Sequence, residues 1–201
     1  MSWSALITSV VLTLLLAAPF QWFLGAGRDT FVMRQPDAGA LWGQLSFLSG
    51  MGALLWVGLF GGFALDAAML GALALAAAAV VLYEWARRTV GRQRLHIGLS
   101  GRVPARLIED GPYRWLRHPF YLAYMLAFGA VALALRSPVG GAVAVANIAL
   151  FAGMALHDEA SIARSALAGD YAGYRRRVGL LLLLPRRSRV PASEPGGARD
   201  A

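Results

Sequence analysis

Apolar residues run along this chain in blocks too long and too unbroken for a water-soluble core. The first block, Ala5 to Phe23, is interrupted by little beyond Thr8, Ser9, Thr13 and Gln21. It has roughly the 20 residues a helix needs to cross hydrocarbon. No basic stretch precedes it and no small-residue cleavage pattern is well placed, so it reads as a retained helix near 5–25 rather than a signal peptide. A polar link over 27–39 follows. The stretch Leu41 to Tyr83 is too long for one helix, and Gly61, Gly62 and Asp66 mark a turn inside it. The pattern therefore predicts helices near 41–62 and 66–84. The Gly-rich run from Ser49 to Gly58 would let neighbouring helices approach closely in lipid. Two further blocks, 119–135 and 139–156, are joined by Arg136, Ser137 and Pro138 and predict a tight helical hairpin.

Composition agrees with this pattern. Of 201 residues 58% are hydrophobic and 15% charged, where soluble domains carry about 25% charged residues. There is no cysteine, which excludes a disulfide scaffold, thiolate nucleophiles and Cys-based metal sites. All 19 basic residues are Arg and none is Lys, so Schiff-base chemistry is excluded too. With 11 acidic residues the formal charge is +8.

The placement of that charge decides what it means. It flanks the apolar blocks, as expected for a membrane surface carrying anionic lipid and not for a nucleic-acid partner. Segment 86–117 holds eight Arg, the chain from residue 157 onward holds eight, and the 136–138 turn holds one. The positive-inside rule puts both Arg-rich segments in the cytoplasm. The expectation is an all-α polytopic membrane bundle of about five spans, N-terminus outside and C-terminus cytoplasmic. Residues 1–185 form one membrane-embedded domain, with cytoplasmic segments 86–117 and 157–185, and 186–201 form a disordered tail. The Ala-, Gly- and Arg-rich, Lys-free composition reads as that of a GC-rich genome and a bacterial inner membrane. The five apolar residues at 180–184 are too few to span and predict a docked or interfacial turn.

Two polar stretches carry candidate chemistry. In Leu107–Tyr124, Gly111-Pro112 is a turn signal, and Arg117-His118 stands directly before Pro119. Proline is favoured in the first helical turn, so Pro119 opens the fourth span with His118 near its N-cap. Free N–H groups and the helix dipole there favour an anion, and Tyr121 lies one turn on from His118. The plainer alternative is a basic interface edge followed by an aromatic belt. In the second stretch, 157–178, His157, Asp158 and Glu159 stand where the fifth apolar block stops, placed to pair with Arg117 or Arg114 or to bind a cationic ligand. Tyr171 and Tyr174 share a helix face, with Arg175, Arg176 and Arg177 following. The plainer alternative here is a surface helix with an aromatic anchor. The three scattered His give no recognisable metal spacing, and no metal is expected.

These two stretches resemble the integral-membrane methyltransferases of the isoprenylcysteine carboxyl methyltransferase and phospholipid methyltransferase superfamily. The first motif is carried by Leu107, Gly111-Pro112-Tyr113-Arg114, Arg117-His118-Pro119 and Tyr121. The second is carried by Glu159, Leu167-Ala168, Tyr171, Tyr174, Arg177-Val178 and Pro185. The second Glu of the family's acidic pair falls on Ala160, unless Asp158-Glu159 is the pair, and its Phe-Gly is Leu167-Ala168 here.

The resemblance implies S-adenosyl-L-methionine as methyl donor and a lipophilic acceptor that arrives sideways from the bilayer. It implies a donor site of Tyr113, Arg117, His118, Pro119, Tyr121, Glu159 and Tyr171. Glu159, Arg177 and Arg176 are the candidates for catalysis, and Tyr174 and Arg114 for contact with the acceptor. A carboxylate acceptor would want a cation such as Arg177 or Arg176, whereas an amine or hydroxyl would want Glu159 or Asp158 as base. The alternative reading is a non-catalytic membrane protein that binds a lipid or cofactor in the same pocket.

Overall fold

The computed structural model describes residues 2–30, 38–91 and 106–181. The expected tail at 186–201, Leu182–Leu184 and most of the link between the third and fourth spans lie outside these residues. Six α-helices follow one another: α1 Trp3–Thr30, α2 Ala38–Phe60, α3 Ala67–Val90, α4 Pro119–Leu135, α5 Pro138–Ile162 and α6 Ala168–Arg177. A single 3-10 turn, Gly111–Arg114, precedes α4. Among the described residues there is no β-strand, and the chain is a polytopic helical membrane bundle.

Four helices are long and apolar enough to cross a membrane: Trp3–Gly27, Leu41–Phe60, Ala67–Val90 and Pro138–Ile162. The remaining expected span is present with its predicted bounds, but α4 has only 17 residues, about 26 Å of helix. That is at the lower limit for a crossing. It is also the most enclosed helix, since most of its side chains are buried and it packs chiefly between α3 and α5. A helix sheathed by its neighbours need not match the full hydrocarbon thickness by itself.

The turns follow from local chemistry. α2 ends where the N–H groups of Gly61 and Gly62 both bond to the Val57 carbonyl, at 2.8 and 2.7 Å. Gly62 takes φ 75°, a conformation that costs glycine little. Asp66 then caps α3, its carboxylate accepting from the Met69 N–H at 2.9 Å. Ser137 caps α5 in the same way through the Gly140 N–H, with Pro138 in the first turn. Arg136 in that loop reaches Asp66 at 2.5 Å, tying the two turns of this end together. The Met69 N–H and then Arg136 hold the Asp66 carboxyl below its usual range.

Several polar groups inside the bundle tie one helix to another. Ser9 donates to the Gly58 carbonyl at 2.7 Å and accepts from the Phe63 N–H at 2.9 Å, pinning α1 to the end of α2. Ser46 of α2 donates to the Asn147 side chain of α5, whose amide also donates to the Val143 carbonyl. In hydrocarbon such bonds hold helices together because no water competes for them. Of the three glycines in the Ser49–Gly58 run, Gly50 and Gly58 allow close approach and Gly52 faces open space. A Cβ on Gly50 would meet Phe128 at 2.9 Å, and one on Gly58 would lie 2.0 Å from the Thr13 hydroxyl.

The core is aromatic. Phe20 and Phe23 of α1, Phe47 of α2, Tyr83 of α3, Tyr124 and Phe128 of α4 and Phe151 of α5 pack edge-on, tilted or, for Phe47–Phe151, stacked, with centroids such as Phe23–Tyr83 at 4.5 Å and Tyr124–Phe151 at 4.9 Å. These pairs, with Ser9–Gly58 and Ser46–Asn147, set the directions of the helices. Successive helices α1 to α5 alternate, so the C-terminal ends of α1, α3 and α5 and the N-terminal ends of α2 and α4 share one end. Both described portions of the Arg-rich segments lie there.

Candidate active site

At the Arg-rich end the two chemical stretches meet. Pro112 and Gly111 start the 3-10 turn, with Gly111 at φ 55° against Thr89 of α3, where a Cβ would lie 2.2 Å from the hydroxyl. Pro119 occupies the first position of α4, and His118 is its N-cap residue. The cap does not use the imidazole, which points across to α5 instead: His118 Nε2 lies 3.0 Å from Glu159 Oε1. Tyr121, one turn further, stacks on the His118 ring at 5.6 Å and 24°. Its hydroxyl donates to Asp158 at 2.8 Å.

Glu159 is the hub. Arg117 Nη1 donates to its Oε2 at 2.6 Å, and the Tyr171 hydroxyl from α6 donates to its Oε1. Arg175 Nε stands 3.3 Å from Oε2. With His118, four side chains converge on one carboxylate that is only 8% exposed. Three of these contacts are hydrogen bonds and Arg175 adds an ion pair, on a carboxylate with about four lone-pair sites. Burying such a charge is costly unless it is paired and hydrogen-bonded, and here the pairing is complete. Arg117 has capacity to spare: its Nε is buried and has no hydrogen-bond partner among the described residues.

The chain beyond α5 completes the wall. α6 turns Tyr171 and Tyr174 inward, and the Tyr174 hydroxyl donates to the Tyr113 carbonyl at 2.7 Å. After α6 the strand-like pairing of Leu116 with Gly179, and the Arg117 N–H on the Gly179 carbonyl at 3.0 Å, hold the Arg117 backbone in place. The expected docked turn begins here, with Leu181 packed against the main core. Burial pushes the phenols of Tyr113, Tyr171 and Tyr174 up, with the neighbouring Glu159 carboxylate acting in the same direction on Tyr171.

The sign of that shift makes a prediction. A raised folded pKa keeps the full contribution of these phenols below about pH 10, their unfolded value, and loses it as pH rises through the folded pKa. α6 should therefore stay docked through neutral and mildly alkaline pH and detach only well above pH 10. Tyrosinate absorbance and limited proteolysis of α6, followed together, should show one late, joint transition. Early ionisation with α6 still protected would contradict this packing.

Of the residues singled out by sequence, the structure gathers Arg117, His118, Tyr121, Glu159 and Tyr171 into one cluster, with Pro119 and Tyr113 as its supports. Tyr174 is buried against the Tyr113 backbone. Arg114 and Arg176 are exposed, and Arg177 pairs with Glu109 at 2.7 Å rather than with Glu159. The cation that α6 brings to Glu159 is Arg175, which the motif comparison passed over. A signal was present: Arg175 lies four residues after Tyr171 and so shares its helix face.

A family-level comparison agrees with the geometry. The model of the phospholipid methyltransferase family (PEMT) matches residues 67–164, which run from the start of α3 to just past α5 and include Arg117, His118 and Glu159. Comparisons with curated proteins and with solved structures each return no significant match. Over that segment, just under half of its length, the chain is similar to the phospholipid methyltransferase family.

Proposed function

We propose that the protein transfers a methyl group from S-adenosyl-L-methionine to a lipophilic acceptor at the cytoplasmic face of a bacterial inner membrane. The observation that carries this reading is the convergence of Arg117 and His118, at the start of α4, on Glu159, 41 and 42 residues away at the end of α5. Methyl transfer needs a polar site for the donor against an apolar path for the acceptor, and this cluster sits where the aromatic core meets the Arg-rich end. The acceptor class, a lipid amine, an isoprenoid-linked carboxylate or similar, is kept open.

The residues fit the donor's chemistry. Arg117, with an unsatisfied buried Nε, suits its carboxylate. Glu159 and Asp158 suit its ammonium and sulfonium charge, and the stacked rings of His118 and Tyr121 offer a flat face for adenine. When bound, the donor supplies an electrophilic methyl carbon, and no covalent enzyme intermediate is required. The chain's own part is orientation and electrostatics. The helix start at Pro119 and the fixed Arg117 hold negative charge, while Glu159 anchors Arg117, His118 and Tyr171 in one arrangement.

An amine or hydroxyl acceptor must also lose a proton. Glu159 is already held by three hydrogen bonds and by the Arg175 ion pair. Asp158 accepts from Tyr121 alone among the described residues. Asp158 is therefore the proton acceptor in this reading, with Tyr121 positioning it. A carboxylate acceptor needs no base, and Asp158→Asn should then leave the rate nearly unchanged.

The test is binding. Calorimetry on the detergent-purified chain should show micromolar binding of the donor or its demethylated product, lost in His118→Ala. Absence of binding to either compound would sink the methyltransferase mechanism and favour a non-catalytic lipid-binding role. Incubation with labelled donor and a total lipid extract then identifies the acceptor.

A further inference from the structure

The partners of Glu159 differ in how firmly they are held. Arg117 and His118 are each 10% exposed and come from within the bundle. Arg175 comes from outside: half of its side chain is exposed, and it shares Oε2 at 3.3 Å where Arg117 stands at 2.6 Å. It is the longest and wettest contact of the hub. An exposed ion pair of this kind contributes little in water, so another anion can compete for the guanidinium.

The surroundings of Arg175 indicate which anion. α6 buries Tyr171, Tyr174 and Val178 and turns Arg175, Arg176 and Arg177 outward. The 3-10 turn that Tyr174 holds carries exposed Arg114, followed directly by Trp115, itself 44% exposed. Trp85 is also exposed near the end of α3, beside the Glu84–Arg87 and Glu84–Arg88 pairs. Exposed indoles at the end of a membrane bundle favour headgroup depth. Among the described residues neither Arg114 nor Arg176 has an acidic partner. Guanidinium groups at that depth attract anionic lipid and bind phosphate bidentately.

We propose that the outer face of α6 binds anionic bilayer lipid and that Arg175 couples this surface to Glu159. A lipid phosphate draws Arg175 outward and leaves the Glu159 carboxylate less neutralised towards the site. Lipid charge thereby tunes the affinity of the site for a ligand that presents an ammonium group to Glu159. The lipid surface stands on the exposed Arg and Trp residues alone; its consequence for donor binding rests on the proposed function above.

The experiment uses the full chain in nanodiscs of phosphatidylcholine, alone or with about one-third phosphatidylglycerol. One readout is the selectivity of spin-labelled phosphatidylglycerol over phosphatidylcholine at the protein boundary. The other is the Kd of S-adenosylhomocysteine. Phosphatidylglycerol should be enriched at the wild-type boundary and less so in an Arg175→Gln/Arg176→Gln variant. It should also tighten binding about fivefold in the wild type. Arg175→Gln should bind equally in both discs, at the tighter level, and inorganic phosphate should replace the lipid in neither readout. No boundary selectivity, selectivity unchanged in the double variant, or an equal effect of free phosphate overturns the lipid surface. Selectivity with a wild-type Kd indifferent to phosphatidylglycerol overturns the coupling. Failure of S-adenosylhomocysteine to bind in any disc counts against the donor site, and boundary selectivity still decides the surface.

Discussion

Glu159→Ala should cost the protein about 3–5 kcal/mol of stability as well as its donor binding. The carboxylate is hydrogen-bonded to Arg117, His118 and Tyr171 and ion-paired with Arg175. Removing it leaves the Arg117 charge nine-tenths buried with no counter-charge, the most expensive way to break such a cluster. Both lost binding and lost stability follow, so the single variant does not separate them. A double-mutant cycle with Arg117→Leu does. The pair sits in direct contact, so the double variant should be less destabilised than the sum of the singles by up to about 3 kcal/mol. Unfolding midpoints in detergent, read by helical circular dichroism, supply all four corners. A Glu159→Ala protein that unfolds at the wild-type midpoint would show that the hub holds nothing together.

Gly58→Val should disrupt the α1–α2 contact. The new Cβ would fall 2.0 Å from the Thr13 hydroxyl and 3.1 Å from its Cβ, on the neighbouring helix. The backbone is poorly placed to yield, because the Gly58 carbonyl is the acceptor of Ser9, which also holds the Phe63 N–H. Overpacking of a close contact costs about 1–3 kcal/mol, and more where a hydrogen bond is lost with it. Gly52→Val makes the matched control, since a Cβ there meets nothing within 4 Å. Thr13→Ala in the Gly58→Val background should recover part of the loss by removing the clashing atoms. Equal midpoints for the two glycine variants would mean that α1 and α2 do not pack through Gly58.

Most of the architecture was readable from the chain, for a definite physical reason. In lipid each span must satisfy its own backbone, so long apolar blocks become helices and their ends fall at turn residues. Gly61 and Gly62 stop α2, with Gly62 at positive φ, and Asp66 caps α3, so together they break the 41–83 stretch. α3 runs to Val90, past the expected end at residue 84, because Glu84 pairs with Arg87 and Arg88 one turn on and carries the helix through its polar end. α4 kept its expected bounds and with them its short length, yet its central position was not visible in hydropathy, which reports apolarity and not what covers it.

The candidate site was legible in part. The residues of Arg117-His118-Pro119 and Glu159 stand out by type and placement, and Pro119 opens α4 as helix chemistry requires. What the chain could not disclose was the partner of each charge. Three consecutive Arg at 175–177 look equivalent in sequence. Helical rotation gives them different outcomes: Arg175 to Glu159, Arg177 to Glu109, Arg176 to the surface. Sequence by itself thus determined the helices, their ends and the chemical inventory of the Arg-rich end, because those depend on local composition and on the bilayer as solvent. Only the tertiary structure decided that Glu159 gathers three hydrogen bonds and an ion pair while Asp158 beside it takes one hydrogen bond, because that depends on the rotation and crossing of α4, α5 and α6, which no local pattern encodes.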